Sequence, residues 1–229
     1  MPPPGSCRDY SALPRDVLLG IFSRVPHADI LRSAGLVCAS WRRLAVAEPA
    51  LWRHIDLAAE EDRIYWKEDD PALAEWRAMA CAAVDRSAGQ CESFRGRADD
   101  NFLVYLVDRS PSLRSLHVTS PIFWGETLIE EVMKKLPLLQ RLVVARGRFY
   151  ASALMMRAFL DHCPNMELLD AGGCYTGEVI GYRLRERCER AIKELRLPQV
   201  DPGACMCCIN YAQKYVDEHD DGFVLSRSP

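Results

Sequence analysis

The reactive side chains of this sequence are mainly thiols, with ten cysteines and five histidines among 229 residues. The densest group is Cys205, Cys207 and Cys208 in the string CMCC. Three thiols packed this closely do not match the usual zinc knuckle, and no second cysteine pair follows them. The pattern favours ordinary thiols over a metal centre, so no metal ligand is assigned, and whether these thiols bind anything stays open.

A cysteine nucleophile would need a histidine and an orienting group within reach in the fold. Cys163 lies next to His162, but the remaining histidines are scattered and no motif accompanies the pair. Cys163 is therefore predicted to pack at a helix end. The sequence predicts a non-enzymatic protein with no cofactor, and a thiol- or metal-dependent enzyme is the remote alternative.

The composition is that of a globular protein, with 49% hydrophobic and 27% charged residues and a net charge of −3. No strong basic field is present to hold a nucleic acid or an anionic membrane surface. We expect no signal peptide at the amino terminus and no membrane-spanning segment. The cysteines are then expected to be reduced thiols, in the nucleus or the cytoplasm.

Residues 13–47 show three short runs of helical periodicity. The string LPRDVLLGIFSRV has helical spacing of its apolar side chains, with Pro14 in the tolerated first turn. Asp29 is predicted to cap a second helix that Gly35 ends, and a third helix runs from about 37 to 47. Helices this short hide little apolar surface, so the unit is expected to complete its core against something else.

The second half of the chain repeats one pattern. The blocks begin 26, 27 and 26 residues apart, share an L-x-x-L-x-L frame, and read PSLRSLHV (111–118), PLLQRLVV (137–144), PNMELLDA (164–171) and RAIKELRL (190–197). A weaker copy contains Cys91, Phe94 and Gly96, and helical runs lie between the blocks. A strand and a helix repeated about every 20 to 29 residues indicate a leucine-rich-repeat solenoid. Only Cys174 supplies the Asn or Cys expected after such a strand, so irregular turns are expected elsewhere.

The segment 13–57, LPRDVLLGIFSRVPHADILRSAGLVCASWRRLAVAEPALWRHIDL, resembles an F-box. The Leu-Pro opening, the Ile-Phe pair, the Val-Cys-x-x-Trp-Arg core and the Pro-x-Leu-Trp ending occur in order. With AVDRSAGQ (83–90) and the repeats, the chain resembles plant F-box/leucine-rich-repeat proteins. The resemblance implies an α/β fold, in which a three-helix F-box precedes a short solenoid with one strand and one helix per repeat and a parallel sheet.

The predicted organisation has five segments. They are a flexible arm (1–9), the F-box (10–57), an acidic connector (58–70), a leucine-rich-repeat domain of about four to five repeats (71–200) and a carboxyl-terminal segment with cysteines and an acidic tail (201–229).

The resemblance also implies a function. F-box proteins dock on an Skp-type linker protein and through it on a cullin, while their repeats capture a protein substrate for ubiquitination. Carried over by position, the linker-facing residues are Leu13, Pro14, Leu18, Ile21, Phe22, Leu31, Val37, Cys38, Trp41 and Leu44. Sequestration of a partner without ubiquitin transfer is the alternative, and the substrate is not identified.

The substrate face is predicted from the repeat frame. Alternate residues of a strand face opposite sides, so the frame points inward and the residues between it form outward columns. One column holds Arg95, His117, Val143, Asp170 and Arg196, and a parallel column holds Ser93, Ser115, Arg141, Leu168 and Glu194. Substrate contacts are predicted at Arg95, His117, Arg141, Val143, Leu168, Asp170 and Arg196. Binding by the loops or by the carboxyl-terminal segment is the other interpretation.

Overall fold

The computed structural model of the chain describes residues 12–58, 71–149, 152–201, 203 and 223–224. The predicted flexible arm, most of the acidic connector, the acidic tail, and the thiols of Cys205, Cys207 and Cys208 lie outside these residues.

The amino-terminal module (residues 13–57) is a set of short helices. Its elements are α1 (Arg15–Phe22), α2 (His27–Asp29) continuing through a π-helical turn (Ile30–Ala34) into α3 (Gly35–Val37), then α4 (Ala39–Ala47) and a 3-10 turn (Pro49–Trp52). Two predicted boundaries are wrong. Asp29 lies inside the helix that Pro26 precedes, and the helix continues through Gly35 until Cys38 adopts an extended conformation.

Trp52 joins the module to the rest of the chain. Its side chain is fully buried, and its indole N–H donates a hydrogen bond to the carbonyl of Ala45 at 2.9 Å. The imidazole of His27 lies 5.4 Å from the Trp52 ring, and the guanidinium of Arg86 lies over the same ring at 5.2 Å. Because Arg86 belongs to the next helix, this tryptophan fixes the module against the repeats.

Strands and helices then alternate. The strands of the main sheet are β1 (His54–Asp56), β2 (Ser93–Gly96), β3 (Ser115–Trp124), β4 (Arg141–Phe149), β5 (Leu168–Asp170), β6 (Cys174–Thr176), β8 (Glu194–Arg196) and β9 (Gln199–Val200). The helices are α5 (Pro71–Arg86), α6 (Asp100–Arg109), α7 (Glu126–Met133), α8 (Ser152–His162) and α9 (Tyr182–Ala191). A separate pair consists of β7 (Glu178–Val179) and β10 (Phe223–Val224).

The main sheet is parallel and follows the order β1-β2-β3-β4-β5-β8. Its central row of paired residues points into the core and consists of Ile55, Phe94, Leu116, Leu142, Leu169 and the partly buried Leu195. Parallel strands in this register, with helices between them along the chain, are solenoid repeats, so the predicted α/β repeat fold is confirmed.

The strands β3 and β4 continue past the repeat frame instead of turning. Their second halves pair with each other after an irregularity between Val118 and Pro121, and β4 then pairs with β6, which pairs with β9. Cys174 in β6 is buried, and its thiol donates a hydrogen bond to the carbonyl of Val144 at 3.3 Å. The irregular geometry expected after these strands therefore takes the form of extra sheet.

Candidate functional site

The exposed apolar surface of the amino-terminal module lies mainly on α3. Leu36 is 77% exposed and Val37 is 57% exposed, although both are large apolar residues in a helix. α3 contacts α4, which carries the partly buried Trp41 and the exposed Val46. Apolar side chains left in water on adjacent elements mark a surface that a partner covers.

The predicted linker-facing residues divide into two groups. Val37 and Pro14 are exposed, and Leu13, Ile21, Leu31, Cys38 and Trp41 are partly buried. Leu18, Phe22 and Leu44 are buried in the core of this chain, with 3%, 1% and 8% of their surface exposed. These three side chains help to build the core of the module, and they expose little surface to a partner.

Phe22 has a positioning role within this core. Its ring packs edge-on against Trp41 with the ring centroids 5.4 Å apart, which couples α1 to α4. Leu18 and Leu44 line the wall of an open cleft of about 370 Å³, together with Leu13. An ion pair between Arg15 and Glu48 closes the polar rim of the cleft.

Sequence reasoning missed Leu36, the most exposed large apolar residue among those described in the module. Val17 and Val46 were missed as well, at 45% and 49% exposure. A signal for Leu36 exists in the sequence. It directly precedes Val37, which the sequence predicts to face the linker protein, so its apolar side chain was a candidate for the same surface.

The outward face of the sheet carries the two predicted columns as continuous rows. Backbone pairing aligns the first row as Asp56, Arg95, His117, Val143, Asp170 and Arg196. The second row is His54, Ser93, Ser115, Arg141, Leu168 and Glu194. The predicted columns begin on β2, and the structure adds His54 and Asp56 of β1 to them. Side chains of adjacent strands in such rows lie about 5 Å apart.

Two ion pairs lie within the first row. Arg95 pairs with Asp56 at 3.2 Å, and Arg196 pairs with Asp170 at 3.4 Å. Asp170 also accepts a hydrogen bond from the backbone N–H of Gly172 at 3.0 Å. Asp170 therefore stabilises the turn after β5 in addition to facing the outward surface.

His117 stands in the middle of the first row. Burial lowers the pKa of its imidazole, and the neighbouring Arg95 guanidinium lowers it further. The ring is therefore mostly neutral at neutral pH. A neutral imidazole can both donate and accept a hydrogen bond, which suits recognition of a peptide.

The four buried thiols of the repeats lack the character of nucleophiles. Burial raises the pKa of Cys91, Cys163 and Cys174 to about 12 and that of Cys188 to about 11. Cys163 is almost fully buried at the end of α8, so its sulfur stays protonated at neutral pH. Over the described ranges, no group of His, Cys, Asp or Glu side chains is arranged to hold a metal ion. Those ranges also contain no helix long and apolar enough to cross a bilayer.

Comparison with known proteins agrees with this architecture. A family model described as F-box-like matches residues 10–58. "Putative F-box/LRR-repeat protein 23" of Arabidopsis thaliana is 25% identical over 249 residues, covering 83% of this chain. "Putative F-box/LRR-repeat protein 9" of the same plant is 31% identical over 172 residues, covering 72% of this chain. The chain belongs to the plant F-box/leucine-rich-repeat family.

This F-box/leucine-rich-repeat protein spans 54% and 66% of the lengths of those two relatives. The solved tropomodulin carboxyl-terminal domain of Caenorhabditis elegans is also similar, at 17% identity and a TM-score of 0.35. The match covers 50% of this chain and 74% of the tropomodulin domain.

Proposed function

We propose that this F-box/leucine-rich-repeat protein is the substrate-recognition adaptor of an Skp–cullin–F-box ubiquitin ligase. The exposed pair Leu36 and Val37, in a module that matches the F-box-like model, is the observation that supports this role most directly. The pair would pack on an Skp-type linker protein, which connects the chain to a cullin. Such a ligase works in the nucleus or the cytoplasm.

The adaptor acts without catalysis of its own. The outward rows of the sheet hold a protein substrate, and the linker end places it near a charged conjugating enzyme. Holding two reactants together raises the effective concentration of the reacting lysine. The module and the sheet share Trp52 and β1, so the two binding surfaces keep a fixed geometry.

Linker binding is tested by co-purification with an Skp-type linker protein. The Leu36→Asp, Val37→Asp double variant should lose the linker, because truncating an interface hot spot costs about 2 kcal/mol or more and a buried charge costs further. Leu138→Asp is the matched control, since Leu138 is an exposed leucine outside the module. The control should bind like wild type, and circular dichroism should be the same for all three proteins.

Full retention of the linker by the double variant would contradict the proposed docking surface. Ubiquitin transfer needs a second assay, in which the assembled ligase is incubated with a captured substrate. Ubiquitinated substrate supports the adaptor role. Capture without any transfer would instead support sequestration.

A further inference from the structure

The carboxylates on the strands of the outward face are largely neutralised. Asp56 and Asp170 are held by Arg95 and Arg196. Of the acidic residues on β1 to β5 and β8, Glu194 alone has no ion pair with another described residue, and it lies on the edge strand. The central strands therefore carry no uncompensated negative charge on the described residues.

Exposed arginines without an ion pair lie near the centre of the sheet. Arg141 and Arg146, both exposed on β4, make no ion pair with any described residue, and the same holds for Arg114 immediately before β3. Arg114 and Arg141 extend from neighbouring backbone positions, because the N–H of Arg141 donates to the carbonyl of Arg114 at 2.9 Å. Of these arginines, Arg141 belongs to an outward row, whereas Arg146 lies five residues later and alternates to the other side of the strand. The pKa of Glu167, just before β5, is lowered mainly by Lys193, with which it pairs at 2.8 Å, and to a smaller extent by Arg141. Arg141 is therefore the positive side chain that this face can offer to a ligand.

Apolar side chains lie directly beside Arg141. Leu168 is its register partner on β5, and Val143 follows two residues later on β4. Both are only half-buried, whereas the frame residues on the opposite face of these strands are fully buried. Strand geometry places Arg141, Val143 and Leu168 within about 5 to 8 Å of one another. A charge contact and an apolar contact can therefore be made by one short segment.

We propose that the middle of this face binds an acidic peptide segment, with an acidic group paired to Arg141 and an apolar side chain resting on Val143 and Leu168. This inference deepens the proposed function and rests on it for the biological role of the site. A guanidinium binds either a carboxylate or a phosphate through two parallel hydrogen bonds. Glu194 lies two strands from Arg141, so it repels further acid there and favours an uncharged or basic residue at that end.

The test measures fluorescence anisotropy of labelled peptides with the full chain. The probes are the acidic peptide GSEDLDEGS, the basic peptide GSKKLKKGS, and a form of the first in which phosphoserine replaces the acidic residues. Wild type should bind one or both acidic probes and not the basic one, and added salt should weaken the binding. The acidic probe that binds more tightly shows whether the site prefers a carboxylate or a phosphate group.

Arg141→Glu should weaken binding of the acidic probe at least about tenfold, because it replaces an attraction with a repulsion. Arg185→Glu on α9 is the matched control, since Arg185 is an exposed arginine on the helical side of the repeats. It should change the affinity less than about twofold. Unchanged binding by Arg141→Glu, or equal binding of the basic probe, would overturn the proposal.

Two further measurements test whether the chain's own tail occupies the site and whether Arg141 affects linker binding. If neutralising the acidic residues of 217–221 strengthens probe binding, the chain's own tail competes for the site. The assignment of the site to an external peptide alone is then overturned. Linker co-purification by Arg141→Glu should match wild type. If the wild-type chain does not bind the linker protein, the proposed function is contradicted. The peptide-binding result would still stand in that case.

Discussion

Phe22 and Leu36 show how two apolar residues in one small module serve different purposes. Phe22 is 1% exposed and packs against Trp41, whereas Leu36 is 77% exposed. Removing a buried ring leaves a cavity, and removing an exposed side chain leaves none. Burial therefore separates the residues that build the module from the exposed residues that we propose a linker protein covers.

We predict that Phe22→Ala lowers the free energy of unfolding by about 3 kcal/mol or more. Leu36→Ala should change it by no more than about 0.5 kcal/mol, because the side chain touches little of the chain. Chemical denaturation of both variants measures the difference. A small effect of Phe22→Ala would mean that this ring is not part of the core.

Gly173 is a residue whose role the sequence did not reveal. A Cβ atom placed there would lie 2.0 Å from the carbonyl oxygen of Ala145, so any larger residue would force the backbone of β4 away. The string AGGC shows two adjacent glycines, and nothing in it distinguishes Gly172 from Gly173. The close approach arises from β6 pairing with the extension of β4, which the repeat frame does not encode.

At the scale of elements, α8 begins against a buried acid from the following repeat. Glu178 in β7 is 7% exposed, and its carboxylate accepts a hydrogen bond from the backbone N–H of Ala153 at 2.9 Å. Burial raises the pKa of Glu178, and hydrogen bonds from the start of α8 oppose that rise. The acid satisfies an N–H group that the first turn of a helix would otherwise leave unpaired.

We predict that Glu178→Ala destabilises the fold by about 1 to 3 kcal/mol, the usual cost of leaving a buried N–H unpaired. Glu178→Gln keeps an acceptor oxygen and should cost less. The folded-state pKa is raised, so the stabilisation from protonated Glu178 is complete below the unfolded value and is lost as the pH rises through the folded value. Urea denaturation across this pH range should show that the free energy of unfolding falls as the pH rises in wild type. Glu178→Gln should not show this fall.

The repeat elements could be predicted because their signal is long and periodic. The four blocks of the L-x-x-L-x-L frame coincide with β3, β4, β5 and β8, and the weaker copy coincides with β2. β1 was not predicted as a strand, because three residues at the end of a helical module carry no period of their own. Similarly, the repeat frame does not predict β7, where Val179 pairs with Phe223 of β10.

The two outward rows of the sheet could be predicted for a related reason. Once the frame residues are placed inward, the strand period of two fixes the outward residues, and the register follows from the repeat. The ion pairs that neutralise Asp56 and Asp170 could not be predicted. Asp56 enters the row only through β1, and the pairing depends on which neighbouring strand supplies an arginine.

At the scale of the whole molecule, the module and the repeats form one continuous core. β1 belongs to the segment predicted as F-box, but it pairs with β2 of the repeats. Trp52, Ile55 and Leu57 are all buried, and the N–H of Leu57 donates to the carbonyl of Arg95 at 2.8 Å. The end of the module thus caps the first repeat, which would otherwise expose an apolar edge.

We therefore predict that the full chain unfolds in a single cooperative transition, since neither part buries its core without the other. Differential scanning calorimetry should show one peak, with a calorimetric enthalpy equal to the van't Hoff enthalpy. Trp52→Ala removes the side chain shared by the two parts and should lower the free energy of unfolding by about 3 kcal/mol or more. Trp41→Ala is the matched control, because Trp41 is partly exposed and lies within the module. Two well-separated peaks in the wild-type chain would show that the module and the repeats fold independently, and the shared core at Trp52 and β1 would then not couple them.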